Sequence, residues 1–143
     1  MKILDGKALS SKIRAQIKDE IDDLKMSNIT PGLAVILVGD NPASKTYVGM
    51  KEKACEETGV YSIVHKMPNS ISQEKILETI KMINENDNID GVLVQLPLPK
   101  QIDTEKILES LNPDKDVDGF HPFNVGRLVA GLDSFVPCTP LGV

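Results

Sequence analysis

The sequence predicts an α/β domain of three layers, a mainly parallel sheet with helices on both faces. Two observations carry this. Apolar residues alternate between a helical period and short continuous runs, in the order α-β-α-β-α-β-α. The runs are too short for buried helices and too continuous for half-exposed strands, as expected of strands covered on both faces.

The first helix spans Ala8 to Leu24, where Leu9, Ile13, Ile17, Ile21 and Leu24 form one apolar stripe. GLAVILVG, 32–39, follows Pro31 as the first strand. Asn41-Pro42 is a cap and first-turn pair. It opens a helix to about Thr58, which Gly59 closes. YSIVHKM, 61–67, is the second strand. Ser70 or Ser72 caps the next helix, with Ile76, Ile80 and Ile83 on one face. GVLVQLPLP, 91–99, is the third strand, stopped by prolines that cannot join a central ladder. Asp103 caps a short helix from Thr104 to Leu111. Beyond Asp114 the pattern dissolves into a Gly-, Pro- and Asp-rich stretch with at most short strands, although Thr139-Pro140 could start a helix. An ending at Gly142-Val143 is unusual for a domain, so a piece of a longer protein is expected.

The 143 residues are enough for one ordinary core. Aromatics make up 3% and Trp is absent, so Ile, Leu and Val must build that core. A net charge of -5, no dense basic cluster and few stacking rings argue against nucleic acid as a partner. No apolar run reaches the ~18 residues needed to span a bilayer, and the N-terminus lacks a leader-like apolar core. A soluble cytoplasmic protein is expected. Cys55 and Cys138 fit no metal or disulfide spacing and read as reduced, partly buried thiols. No metal site is expected. His65 and His121 receive no role.

Ligands of open α/β sheets bind beyond the carboxyl ends of the strands. Three segments converge there. On the second helix, Ser44, Tyr47 and Lys51 fall within roughly 60° of one another. A lysine whose proton is loosened by burial can serve as general base or acid. The same spacing also suits an ordinary solvated helix face. Gln95 ends an apolar strand and needs a hydrogen-bond partner if buried, or else simply caps a turn. Asp116 and Asp118 lie in PDKDVDG, 113–119. They form either a solvated turn or, with Gly119 allowing a sharp bend, a carboxylate aimed into the cleft. Rival motifs fail. Tyr-x-x-x-Lys also occurs in short-chain dehydrogenases, but the chain has no GxGxxG loop. It also lacks a phosphate-binding GxxxxGK[ST], a GxSxG elbow and an HExxH helix. A receiver-like acidic pocket would have only Asp40 to offer.

VGDNPASKTYVGMKEKACEETG, DGVLVQLPLP and NPDKDVDGFHPFNVGRL with PCTP closely resemble the bifunctional methylenetetrahydrofolate dehydrogenase/methenyltetrahydrofolate cyclohydrolase family, in order and spacing. The opening ILDGKALSSKIR also fits. The resemblance implies oxidation of 5,10-methylenetetrahydrofolate with NADP, then hydrolysis of 5,10-methenyltetrahydrofolate to 10-formyltetrahydrofolate. It implies that Lys51 is the central catalytic group, that Tyr47 positions it near the folate, and that Gln95 hydrogen-bonds and tunes it. Asp118 would bind the pterin, and Ser44 lies near the lysine. Val94, Leu96 and Pro97 would line the folate rings beside Gln95. Residues 1–120 would be the folate-binding catalytic domain. Residues 121–143 would be a linker or edge segment leading to an NADP-binding Rossmann domain outside this chain, which itself holds no cofactor-binding residues. Family members are homodimers whose contacts lie largely in that other half, so a monomer is one expectation for this chain. As a fragment it is either an enzyme domain with residual cyclohydrolase activity or a silent folate-binding domain.

Overall fold

The computed structural model describes residues 4–143. Three strands, Gly32–Val38 (β1), Tyr61–Met67 (β2) and Gly91–Val94 (β3), form a sheet in the order β2-β1-β3. Both pairings are parallel. Gly32 faces Tyr61 and Val38 faces Met67 along one side of β1, while Leu33 faces Gly91 and Ile36 faces Val94 along the other. The helices among the described residues are Gly6–Met26 (α1), Pro42–Thr58 (α2), Gln73–Asn84 (α3), Thr104–Glu109 (α4), Pro122–Val129 (α5) and Cys138–Gly142 (α6).

The continuous apolar run of β1 is explained by two cores. Successive strand residues point to opposite faces. Ala34, Ile36 and Val38 join Val92 and Val94 against Ile76, Ile80 and Ile83 of α3 and Ile107 of α4. Val35, Leu37 and Leu93 face the other way, onto Val48 of α2. The three-layer expectation holds. Each fully buried Ile or Val contributes about 1.5–3 kcal/mol.

Four expectations need correction. The α1 stripe is helical, but only Ile21 of it is buried, and Leu9 is 59% exposed. The helix touches α2, with Arg14 near its middle pairing with Glu57 at 3.4 Å, but only Ile21 is covered, and Leu9, Ile13, Ile17 and Leu24 stay exposed. The third strand ends at Val94 rather than Pro99. Gln95 N makes one more ladder bond, to Ile36 O at 2.9 Å, and then the prolines offer no N–H; the Leu96–Pro97 peptide is cis. Between 114 and 143 the regular elements are the helices α5 and α6, with an isolated bridge at Asp116 in place of short strands. His121 caps α5, its Nδ1 accepting from Phe123 N at 3.0 Å with Pro122 in the first turn. Histidine is a weak capping residue by type, so the His-Pro pair is a fainter signal than Asn41-Pro42. The Thr139-Pro140 start agrees with α6 to within a residue. Finally, Cys55 is buried as expected, with burial pushing its thiol up, whereas Cys138 is exposed.

Candidate active site

The strand order places a crevice between β1 and β3. The chain leaves β1 through α2 on one face to reach β2, then returns through α3 on the other face to β3. The direction of winding reverses at the β1–β3 boundary, where α/β sheets bind ligands.

α2 is held firmly at both ends. Asn41 Oδ1 accepts from Ala43 N at 3.0 Å and Ser44 N at 3.1 Å, and Gly59 N donates to Cys55 O at 2.8 Å. Val48 and Cys55 face the sheet. Lys51 leaves the flank nearer β3, and its Nζ donates to Gln95 Oε1 at 3.2 Å. Gln95 Nε2 donates in turn to Leu96 O at 2.9 Å. That second bond orients the amide. Its NH2 is occupied by a carbonyl, so its oxygen faces the lysine.

The Asp-rich turn is anchored on three sides. Val92 N donates to Lys115 O at 2.7 Å, and Val92 forms a parallel bridge with Asp116 along the free edge of β3. The approach is close: a Cβ on Gly91 would stand 2.7 Å from Val117 Cγ1. Lys115 Nζ donates to Ile83 O at 3.3 Å, Asn84 O at 3.0 Å and Asn86 O at 2.9 Å, tying the turn to carbonyls at and just beyond the end of α3. Asp116, 1% exposed, accepts at Oδ2 from His121 N at 2.8 Å and Asn124 Nδ2 at 3.0 Å. The solvated-turn reading therefore fails for Asp116.

Asp118 differs. It is half-buried, and its carboxylate accepts no side-chain hydrogen bond among the described residues. Burial pushes its carboxyl above the usual carboxylate range; the charge of Lys51 pulls it back, and that of Asp116 adds to the rise. Asp118 thus stands within electrostatic reach of Lys51, open to a ligand.

Not every predicted residue joins this group. Tyr47 is on the surface, 57% exposed, one turn from Lys51. Ser44 is buried under the first turn of α2. Val94 is buried in the α3-side core, which leaves its backbone as the part near the cleft. Leu96 packs on that core from outside, and Pro97 is exposed. A cavity of about 580 Å³ opens on the opposite flank of α2, against Leu37, Val48 and Met67, and Tyr47 and Lys51 do not line it. Lys115, His121 and Asn124 went unrecognised in the sequence. Only the His-Pro pair at 121–122 could have signalled one of them.

Residues 4–118 match the family model described as the tetrahydrofolate dehydrogenase/cyclohydrolase catalytic domain. The chain belongs to this family. It is 67% identical over 143 residues to the bifunctional protein FolD of Nautilia profundicola, covering all of this chain and 50% of that one. The crystal structure of the bifunctional enzyme FolD from Campylobacter jejuni superposes with a TM-score of 0.96 at 55% identity, over 99% of this chain and 51% of that one. The Trypanosoma brucei FolD, solved with NADP cofactor and inhibitor, gives 0.92 at 32% identity, over 96% of this chain and 48% of that one. The chain thus spans about half the length of the curated relatives it matches. The helical segment after residue 118 lies beyond the family model, yet nearly all of the chain superposes on the C. jejuni structure.

Proposed function

We propose that this chain is the folate-binding catalytic part of an enzyme that oxidises 5,10-methylenetetrahydrofolate with NADP and hydrolyses 5,10-methenyltetrahydrofolate to 10-formyltetrahydrofolate. The observation that carries this reading is the Lys51–Gln95 hydrogen bond at the β1–β3 crevice, 3.2 Å long, with Asp118 beside it.

The hydrolysis is the step these residues can perform. Water adds to the cationic methenyl carbon, and Lys51 takes the proton that the attacking oxygen loses. The carbinolamine then breaks one C–N bond: Lys51 returns that proton to the departing nitrogen, and the remaining hydroxyl proton is released to solvent as the C=O forms. Formation of the carbonyl completes the formyl group. Gln95 holds the lysine through its amide oxygen. Asp118, when ionised, offers two acceptor oxygens to the amino and ring N–H groups of a pterin. Tyr47 offers an exposed ring for the aromatic middle of the folate to lie on, beside Leu96 and Pro97.

The described residues do not suit a dinucleotide. The β1–α2 turn has one glycine, and the exposed carboxylate of Asp40 follows it, paired with Lys45. A pyrophosphate would be repelled there. NADP would be bound by residues outside this chain. Homodimer formation would likewise rest on the rest of the longer protein, and a cytoplasmic location and the absence of nucleic-acid and membrane partners belong to the same reading. No helix among the described residues is long and apolar enough to cross a membrane.

The test follows the near-ultraviolet absorbance of 5,10-methenyltetrahydrofolate mixed with this chain, with and without Lys51→Ala. Loss faster than buffer that vanishes in the variant supports the reading. Loss that persists in the variant refutes the role of Lys51. The exposure of Tyr47 favours a second reading, a domain that binds folate without turning it over. Folate binding without acceleration would select it.

A further inference from the structure

The two aspartates of the turn have opposite environments, and this assigns them different tasks. Asp118 is half-buried, has no side-chain hydrogen bond among the described residues and feels the charge of Lys51. Asp116, two residues earlier, is 1% exposed and saturated on one oxygen by two donors from the start of α5. Asn124 is itself buried, 4% exposed, and is held in turn. Its Nδ2 also donates to Pro113 O at 2.8 Å, and Ser134 Oγ donates to its backbone oxygen at 2.9 Å. Gly119 N donates to Asp116 O at 3.1 Å, so the backbone turns sharply just after Asp118. A buried carboxylate is costly unless it is fully paired. Such a charge kept behind a ligand-facing carboxylate needs a reason beyond turn formation.

We propose that Asp116 is a positioning residue, clamped by His121 and Asn124, that aims Asp118 at the Lys51 end of the crevice and sets a second negative charge behind it. The clamp ties the start of α5 to the Asp-rich turn. The charges around Asp118 come from two elements: Lys51 on α2 attracts its ionised form, and Asp116 on its own turn opposes it. Gln95, on the β3 side, is neutral. The Lys115 ammonium is turned away to the end of α3, and Asp114 is exposed. Asp116 is therefore the buried like charge whose removal Asp118 should feel. Burial is the main reason that the Asp118 carboxyl takes up a proton more readily than an isolated aspartate; the charge of Lys51 opposes this, and that of Asp116 adds to it. Only the ligand of Asp118 rests on the folate reading; the clamp does not.

The experiment is a ligand-free titration of the Asp118 side-chain carboxyl by carbon NMR, in this chain and in two variants. Asp116→Asn removes the charge and keeps the shape, so Asp118 should titrate at lower pH than in the parent. Asn124→Ala keeps the charge but strips a donor from it, so Asp118 should titrate at higher pH. A turn that is merely loosened would let water in and move both variants downward. That common downward shift, or no shift in either, overturns the proposal. Should Asp116→Asn fail to fold, the direction in Asn124→Ala decides alone: upward supports the clamp, and downward or unchanged refutes it. A folate-binding measurement on Asp118→Ala separates the two readings. Unchanged binding there would end the folate assignment of Asp118 and leave the titration result intact.

Discussion

Gly119→Ala probes the turn that carries Asp118, and its cost can be worked from the structure. Gly119 has φ +68°, in the left-handed region, where an L-residue loses about 1–2 kcal/mol. The added Cβ would also stand 2.4 Å from Phe135 O and 3.0 Å from Phe135 C. Both are backbone atoms, so no side chain can swing away. The segment around Phe135 must move by several tenths of an ångström, an overpacking cost of about 1–3 kcal/mol. The sum is about 2–5 kcal/mol. An unfolding entropy of about 2.1 cal/mol/K per residue makes 1 kcal/mol worth roughly 3 °C in a chain of this length. Thermal melting followed by circular dichroism should therefore show Tm lowered by about 7–17 °C. Gly126→Ala is the matched control. It sits inside α5 with nothing within 4 Å of the added methyl, and it should raise Tm by about 2–3 °C through helix propensity. A fall of less than about 3 °C for Gly119→Ala would refute the strain-and-contact reasoning. So would an equal fall in the control.

Asp118→Asn should stabilise the chain at pH 7. Its carboxyl is raised in the folded state, so between its ordinary and raised values the folded chain binds more protons than the unfolded one. Stability then falls as pH rises through that window, and the penalty is complete above it. The gain in Tm should be greatest at neutral pH and disappear below the ordinary carboxylate value; a gain that grows on acidification would contradict the burial account. The same variant should bind folate more weakly, the usual trade at a functional carboxylate. Lys115→Met removes three bonds to the end of α3 and should cost about 1–2 kcal/mol, read from the urea midpoint at unchanged slope. A midpoint equal to the parent's would mean that water caps those carbonyls equally well. Ile36→Ala, fully buried at the sheet centre, should cost about 2–5 kcal/mol, and a loss below about 1 kcal/mol would show that the core collapses around it.

The sequence by itself determined the parts of this protein that depend on neighbours along the chain. The run in β1, the Asn41-Pro42 start of α2, its glycine stop and a serine cap of α3 at 70 or 72, which the structure puts at Ser72, all act within a few residues, so their periods and caps could be read directly. The motifs also pointed to Lys51, Gln95 and Asp118 together. Tertiary structure decided what no local pattern encodes. Lys51 meets Gln95 across 44 residues, and Gly32 N meets Asp90 Oδ2 across 58, because the sheet order makes those segments neighbours. The same topology buried Asp116, left Leu9 in solvent and turned a Gly- and Pro-rich tail into the helix that holds the turn. Side-chain burial and charge environment are set by which elements come together, and two aspartates two residues apart, alike to composition and periodicity, ended in different surroundings for that reason.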